Sequence, residues 1–406
     1  MNLTYLFIYG LSGAYSYYSF SENQLIYINL EQSDTLFFFS YVLVIISYFL
    51  SLIFYFYFFK NVKAISFERI NLKYPSIISL LLCFIFILIY IAQYGGLQNA
   101  LYSAAAIRSG YGEVEDGSKL TFVKYLMPIG VFPFLYFSLQ CINGEVKKNI
   151  ILFLVSASVL FLALILMSGR TRIVMYLLAL VILTIYAKDG FKINLKKTIL
   201  YGGVGALSFI FITKGKKIFS SLEALMNGES LSTIIEENEK SNFLDSFLGY
   251  FAHRTYSNEM ALQYFSDTNN LYWFKDNFYI IFYLIPERLT GISKPESISY
   301  INTQNFTGVY DSTIPPGILA YGLYSLWIPG MFLMAILYSF LFSYFDKLNC
   351  NNKKNKVVLV FTLPCVLVWG MYGSVGDFRI IINGFSYILF FIALVILFRF
   401  LQVVKK

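Results

Sequence analysis

The chain has 406 residues, of which 58% are hydrophobic and 13% charged, roughly half the charged fraction of a soluble protein. With a net charge of +8 and apolar residues gathered in blocks of 17 to 25, the composition excludes a soluble globular core and fits helices that cross about 30 Å of hydrocarbon. Four cysteines without paired spacing and a single histidine, His253, leave neither a disulfide framework nor a multi-histidine metal centre to expect.

In chain order, apolar runs predict spans near 3–20, 35–59, 76–94, 122–141, 150–167, 173–187, 198–213, 316–345, 357–374 and 380–400. The first is weakened by its Ser, Tyr and Gly content. No cleavable signal peptide is expected there, because MNLTYLFIYG lacks a basic stretch. The run 316–345 exceeds the hydrocarbon thickness and is expected to tilt or to end in an interfacial turn. The expected fold is thus an all-α polytopic membrane protein of about ten transmembrane helices (9–11). It comprises an N-terminal bundle (1–213, about seven spans), one large extracytoplasmic loop with short helices (214–315) and a C-terminal segment (316–406, about three spans).

Lysine distribution orients the chain. Alternate loops hold Lys60, Lys63 and Lys73, then Lys147 and Lys148, then Lys188, Lys192, Lys196 and Lys197, then Lys347, Lys353, Lys354 and Lys356, and finally Lys405 and Lys406. With Arg69 and Arg399 that side carries 17 basic residues against four acidic ones and is expected to be the cytoplasm. The arginines run the other way. Six of eight (Arg108, Arg170, Arg172, Arg254, Arg288 and Arg379) fall outside or at the outer interface. Arginine offers a planar, permanently charged fork of donors that grips phosphate or carboxylate, so an outward-facing anion site is expected. Gly169-Arg170-Thr171-Arg172 joins two spans with almost no loop; snorkelling toward lipid phosphates is the bland reading of that pair, and a site role is favoured over it because a snorkelling pair has no need to violate the charge rule. Arg379 follows Gly376-Asp377-Phe378, where a structural cap and a site role are both open.

Within the long loop, Phe243 to Phe265 reads as an amphipathic helix lying on the membrane surface and carrying His253 and Arg254. Glu236, Glu237 and Glu239 read as a solvated acidic face. Pro315-Pro316-Gly317 is expected to set re-entry into the membrane, since proline fixes φ and glycine permits a tight turn.

The succession Ile285-Pro286-Glu287-Arg288, Lys294-Pro295 and Ile314-Pro315-Pro316-Gly317, followed by a Gly-punctuated span from Tyr321 to Gly330, resembles the O-antigen polymerase (Wzy) family of oligosaccharide repeat-unit polymerases. Ser168-Gly169-Arg170-Thr171-Arg172 is similar to that family's mid-chain arginine turn. In this chain Glu287 stands between Pro286 and Arg288, a departure from the usual proline–arginine step.

The resemblance implies a glycosyltransferase of the bacterial cytoplasmic (inner) membrane, active on its periplasmic face. It would join undecaprenyl-pyrophosphate-linked repeat units into O-antigen or capsular polysaccharide. No cofactor or metal is required, membrane lipid surrounds the site, a chain-length regulator is an expected partner, and nucleic acid is not. On this reading Arg170, Arg172, Arg254, Arg288, Lys294 and Arg379 bind substrate pyrophosphate, and His253, Glu259, Glu287 and Asp311 are candidate general bases. Three alternatives stay open: an O-antigen ligase using the same donor, a flippase or exporter of lipid-linked oligosaccharide, and a metal-dependent transferase using Glu113, Glu115 and Asp116.

Overall fold

The computed structural model describes residues 5–11, 13–15, 34–65, 71–109, 121–167, 169–187, 203, 243–280, 282–284, 291, 293, 295–308, 313–353 and 355–404. Among these residues the regular structure is helical, with no strand. The helices are α1 (Asp34–Asn61), α2 (Lys73–Gln93), α3 (Leu97–Ser109), α4 (Thr121–Leu126), α5 (Val131–Ile142), α6 (Val146–Leu166) and α7 (Arg170–Ala187), then α8 (Phe243–Thr268), α9 (Ile298–Thr307), α10 (Ile318–Asn351), α11 (Val357–Tyr372) and α12 (Phe378–Val404).

Seven helical segments among the described residues are long and apolar enough to cross a membrane: Thr35–Asn61, Lys73–Gln93, Phe122–Ile142, Val146–Leu166, Ile318–Asn351, Val357–Val375 and Phe378–Phe400. Each overlaps one of the expected spans. Thr171–Ala187 is apolar but shorter, and 198–213 lies outside the described residues apart from Gly203. Of 3–20, the described part includes a π-helical turn, Leu6–Leu11, and helical residues 13–15.

The chain divides into two compact units. One combines 1–66, 243–351 and 368–385; the other combines 67–242, 352–367 and 386–406. In the first, α10 packs along α1 through small side chains. Ser40, Ser47 and Ser51 are buried on α1, and Ala335, Ser339 and Ser343 on α10, the pattern that lets backbones approach closely in lipid. Ser51 Oγ donates to the Ala335 carbonyl at 3.2 Å, and Tyr55 OH donates to Asp346 Oδ2 at 2.5 Å. The opposite face of α1 exposes Phe38, Phe49, Ile53 and Phe56. Serine inside and phenylalanine outside is the polarity of a helix solvated by hydrocarbon.

In the second unit, α5 is buried from Val131 to Leu139, and Phe132 stacks on Phe391 of α12 with ring centroids 3.7 Å apart. Tyr176 OH donates to Tyr387 OH at 2.8 Å. A methyl group on Gly130 would meet Cys83 Sγ at 2.9 Å, so glycine there sets the approach of α2 to the turn before α5.

Helix α10 is not one span. Leu326 (φ −141°) and Trp327 (φ 59°, ψ −149°) leave helical geometry, and Pro329 cannot donate to the carbonyl four residues back. The carbonyls freed by the break are taken up by the preceding loop: Tyr272 N donates to Tyr324 O at 2.8 Å and Trp273 N to Ser325 O at 3.0 Å. Gly322 and Gly330 face each other so closely that a Cβ on either would strike the other's backbone. The piece from Ile318 to Ser325 rises about 12 Å, too short to span, whereas 328–351 rises about 36 Å. The long run therefore carries an internal break near the start of the helix, at Leu326 and Trp327.

Candidate functional site

Helix α8 departs most from expectation. It is 26 residues long, and from Arg254 to Leu262 every residue is buried, whereas a helix lying on a membrane surface would leave its polar side wet. Helices α1, α9 and α10 and the Leu6–Leu11 turn pack against it. Tyr256 and Met260, one turn apart, join Phe37 and Phe306 in an apolar cluster. The remaining circumference buries Thr255, Ser257, Asn258 and Glu259 completely and Arg254 to 5% exposure. Burying so many polar groups is costly unless they are satisfied, and Arg254 and Ser257 bond to Ser374 and Asn302.

A strap and a turn converge on Arg254. Its Nη1 donates to Ser374 Oγ at 3.1 Å, in the 3₁₀ turn Gly373–Val375 between α11 and α12. Gly317, at the end of the Pro315-Pro316-Gly317 strap, sits against the same arginine; a Cβ on it would lie 3.2 Å from Arg254 Cβ and 3.3 Å from Tyr9 OH. Strap and turn are also joined directly, by Gly317 N donating to Val375 O at 2.8 Å. Both segments use left-handed glycines there, Gly317 at φ 85° and Gly376 at φ 70°, a conformation with little penalty only for glycine.

Polar side chains hold this junction. Asn302 of α9 donates from Nδ2 to Ser257 Oγ at 3.1 Å and to the Ile314 carbonyl at 2.9 Å, and accepts from Tyr324 OH at 3.0 Å. Thr303 Oγ1 accepts from Ile314 N at 2.6 Å. One face of α9 thereby ties α8, the strap and the first piece of α10 together. Asp377 caps α12, its Oδ1 accepting from Arg379 N at 2.9 Å and Ile380 N at 3.2 Å. Its Oδ2 accepts from Ser297 Oγ at 2.6 Å and Ser299 Oγ at 2.5 Å, and Ser297 is itself the N-cap of α9. The cap reading of Asp377 holds, and it leaves the Arg379 side chain available: the guanidinium lies over the Tyr300 ring, 5.4 Å from its centroid.

A second carboxyl belongs to the same unit. Asp276 is fully buried and accepts at Oδ1 from Tyr321 OH. Burial pushes its pKa up to about 7, with the Tyr321 hydrogen bond and the backbone amides of Asp276 and Asn277 opposing and the charge of Asp377 adding to the rise.

Of the residues singled out by sequence, the structure brings Arg254, the 315–317 strap and Gly376-Asp377-Phe378-Arg379 into one unit, with Glu259 buried and His253 half-buried on α8. Arg172 belongs to the other unit. There it is buried, with Nη1 3.5 Å from Met167 Sδ, a placement at odds with a simple snorkelling arm. Arg170 opens α7. The side chains of Arg170 and Arg108, and all of Glu287, Arg288, Lys294, Asp311, Glu113, Glu115 and Asp116, lie outside what is described. Among the described residues no group of three His, Cys, Asp or Glu is placed to hold a metal ion.

Sequence reasoning missed Asp276, Ser374 and the hub Asn302. Only the Ser297-Ile298-Ser299 and Asp377 caps carried a local signal, as N-cap residues preceding helices. No protein-family model, curated protein or solved structure matches this chain.

Proposed function

We propose that this chain is a membrane glycosyltransferase that polymerises lipid-pyrophosphate-linked oligosaccharide repeat units on the outer face of the bacterial cytoplasmic membrane. The observation that carries the reading is the buried Arg254, fixed where the proline–glycine strap meets the turn that opens α12. A guanidinium held out of water suits a departing pyrophosphate, because donors already oriented in a low-dielectric site stabilise developing charge without reorganising. Arg379 supplies a second guanidinium at the head of the last helix.

In the proposed reaction a sugar hydroxyl of the incoming repeat unit attacks the anomeric carbon of the growing glycan. The bond from that carbon to the pyrophosphate oxygen breaks and its electron pair stays with the lipid pyrophosphate. Activation is carried by the donor. The family resemblance also assigns Arg170, Arg172, Arg288 and Lys294 to pyrophosphate, and a chain-length regulator is the expected protein partner.

The experiment is a gel of surface polysaccharide from cells with the wild-type gene, without it, and with Arg254→Ala. A polymerase gives a ladder that collapses, in both altered strains, to core plus one repeat. Loss of every sugar-bearing band would replace this reading with ligation or flipping, and an intact ladder from Arg254→Ala would remove the assigned role of the arginine.

A further inference from the structure

We propose that Asp276 is the proton acceptor for the attacking sugar hydroxyl, with Tyr321 as its positioning residue; the assignment rests on the polymerase reading above. Asp276 lies in the 3₁₀ turn Lys275–Tyr279, in a loop where an aspartate would ordinarily face water. Instead its carboxyl is wholly buried, Oδ1 is taken by the Tyr321 hydroxyl, and Oδ2 has no hydrogen-bond partner among the described residues. A buried carboxylate oxygen without a donor is unfavourable and is explained by a donor that arrives with substrate.

The backbone is arranged to produce this placement. Trp273 and Phe274, three and two residues before Asp276, both adopt positive φ, 56° and 50°, a conformation disfavoured for bulky residues. Hydrogen bonds to the broken helix hold them there, through Tyr272 N to Tyr324 O and Trp273 N to Ser325 O. Strain maintained by surrounding structure is a mark of functional positions. Tyr321 stands on the short piece of α10 that begins beside Gly317, and Gly317 packs on Arg254. The proposed acceptor and the proposed pyrophosphate ligand therefore flank one short helical piece.

The groups facing Asp276 are Tyr321 from α10, Asp377 from the turn before α12, and Asn277, Tyr272 and Tyr283 from its own loop, with Arg379 acting on Tyr283. Burial pushes both loop phenols, Tyr272 and Tyr283, upward, so they stay protonated where the carboxyl titrates. A carboxyl that titrates near neutrality suits general base catalysis. As the acceptor oxygen bonds to the anomeric carbon and the pyrophosphate leaves with its electron pair, the hydroxyl proton passes to Oδ2 and afterwards to solvent.

The test uses the full chain in liposomes with undecaprenyl-pyrophosphate-linked repeat unit purified from cells that lack polymer. Wild-type rate is expected to rise with pH through a midpoint near 7. Asp276→Asn, which keeps the shape and the acceptor for Tyr321, is expected to lose about 100-fold in rate together with that rise. Tyr321→Phe should move the midpoint upward, because it removes the bond that favours the ionised carboxyl. An Asp276→Asn enzyme with the wild-type rate and profile would overturn the assignment alone, whereas wild-type liposomes that make no polymer would overturn the polymerase reading and this role with it. A difference-infrared titration reads the group without activity: a carboxyl band that titrates near neutral pH and vanishes in Asp276→Asn is expected, and its absence from wild type would overturn the proposal.

Discussion

Arg254 on α8 and Ser374 in the turn before α12 are joined by a 3.1 Å hydrogen bond between Nη1 and Oγ, although 120 residues separate them in sequence. One hydroxyl fixes the direction of the fork while the stem is held by Gly317. This arrangement exploits the planarity of guanidinium, and a flexible ammonium cannot reproduce it.

Arg254→Lys is therefore expected to fail nearly as badly as Arg254→Ala, with polymer reduced by about two decades or more while membrane levels of the protein stay unchanged. Ser374→Ala, which removes this one bond but keeps the guanidinium, should fall between these two variants and wild type. Ladder intensity normalised to protein is the measurement. Full rescue by lysine would mean that charge alone matters.

Gly376→Ala should destabilise the first unit. Alanine at φ 70° is strained, and its Cβ would run into the Gly317 carbonyl. A loss of at least about 2 kcal/mol is expected, seen as an earlier thermal transition in detergent. A transition at the wild-type temperature would show that strap and turn do not meet this closely.

Asp276 also predicts a pH-dependent stability. Its folded pKa, about 7, lies above the unfolded value, so its contribution is full below the unfolded pKa and is lost as pH rises through 7. Above pH 7 Asp276→Asn should exceed wild type by up to about 4 kcal/mol, and the difference should shrink toward pH 4. Melting curves at pH 4, 6 and 8 decide it; a constant offset would refute the shift.

Asn258 is fully buried, and neither of its amide atoms has a hydrogen-bond partner among the described residues. Asn258→Leu is expected to leave the fold intact and to raise stability by about 1–3 kcal/mol, while lowering polymer output if the amide serves the glycan. A variant that melts lower than wild type and keeps its ladder would contradict both expectations.

Hydropathy made the membrane helices legible, because apolar character over about 20 residues is a local property of the chain. The strap at 315–317 and the Gly376–Arg379 turn were legible for a related reason: proline, glycine and a capping aspartate each announce a backbone need. The burial of Arg254 to Leu262 was not legible. Polar residues all round a helix look the same in sequence whether they face water or a polar interior, and only the partners Asn302, Ser374 and Gly317, far along the chain, decide between the two. Asp276 was hidden for the same reason, since nothing near it in sequence marks a carboxyl that turns inward. The break in α10 was concealed by its own hydrophobicity: Leu326, Trp327 and Ile328 continue an apolar run across a point where the helix stops.

The mending of that break has a consequence for how residues 272 and 273 tolerate change. The bonds to Tyr324 and Ser325 come from backbone amides, which every residue except proline possesses. As far as those two bonds are concerned, the loop accepts any side chain at either position, and proline alone abolishes the join. A tertiary contact of this kind writes almost nothing into the residue alphabet: it dictates where the chain must pass and leaves its identity nearly free.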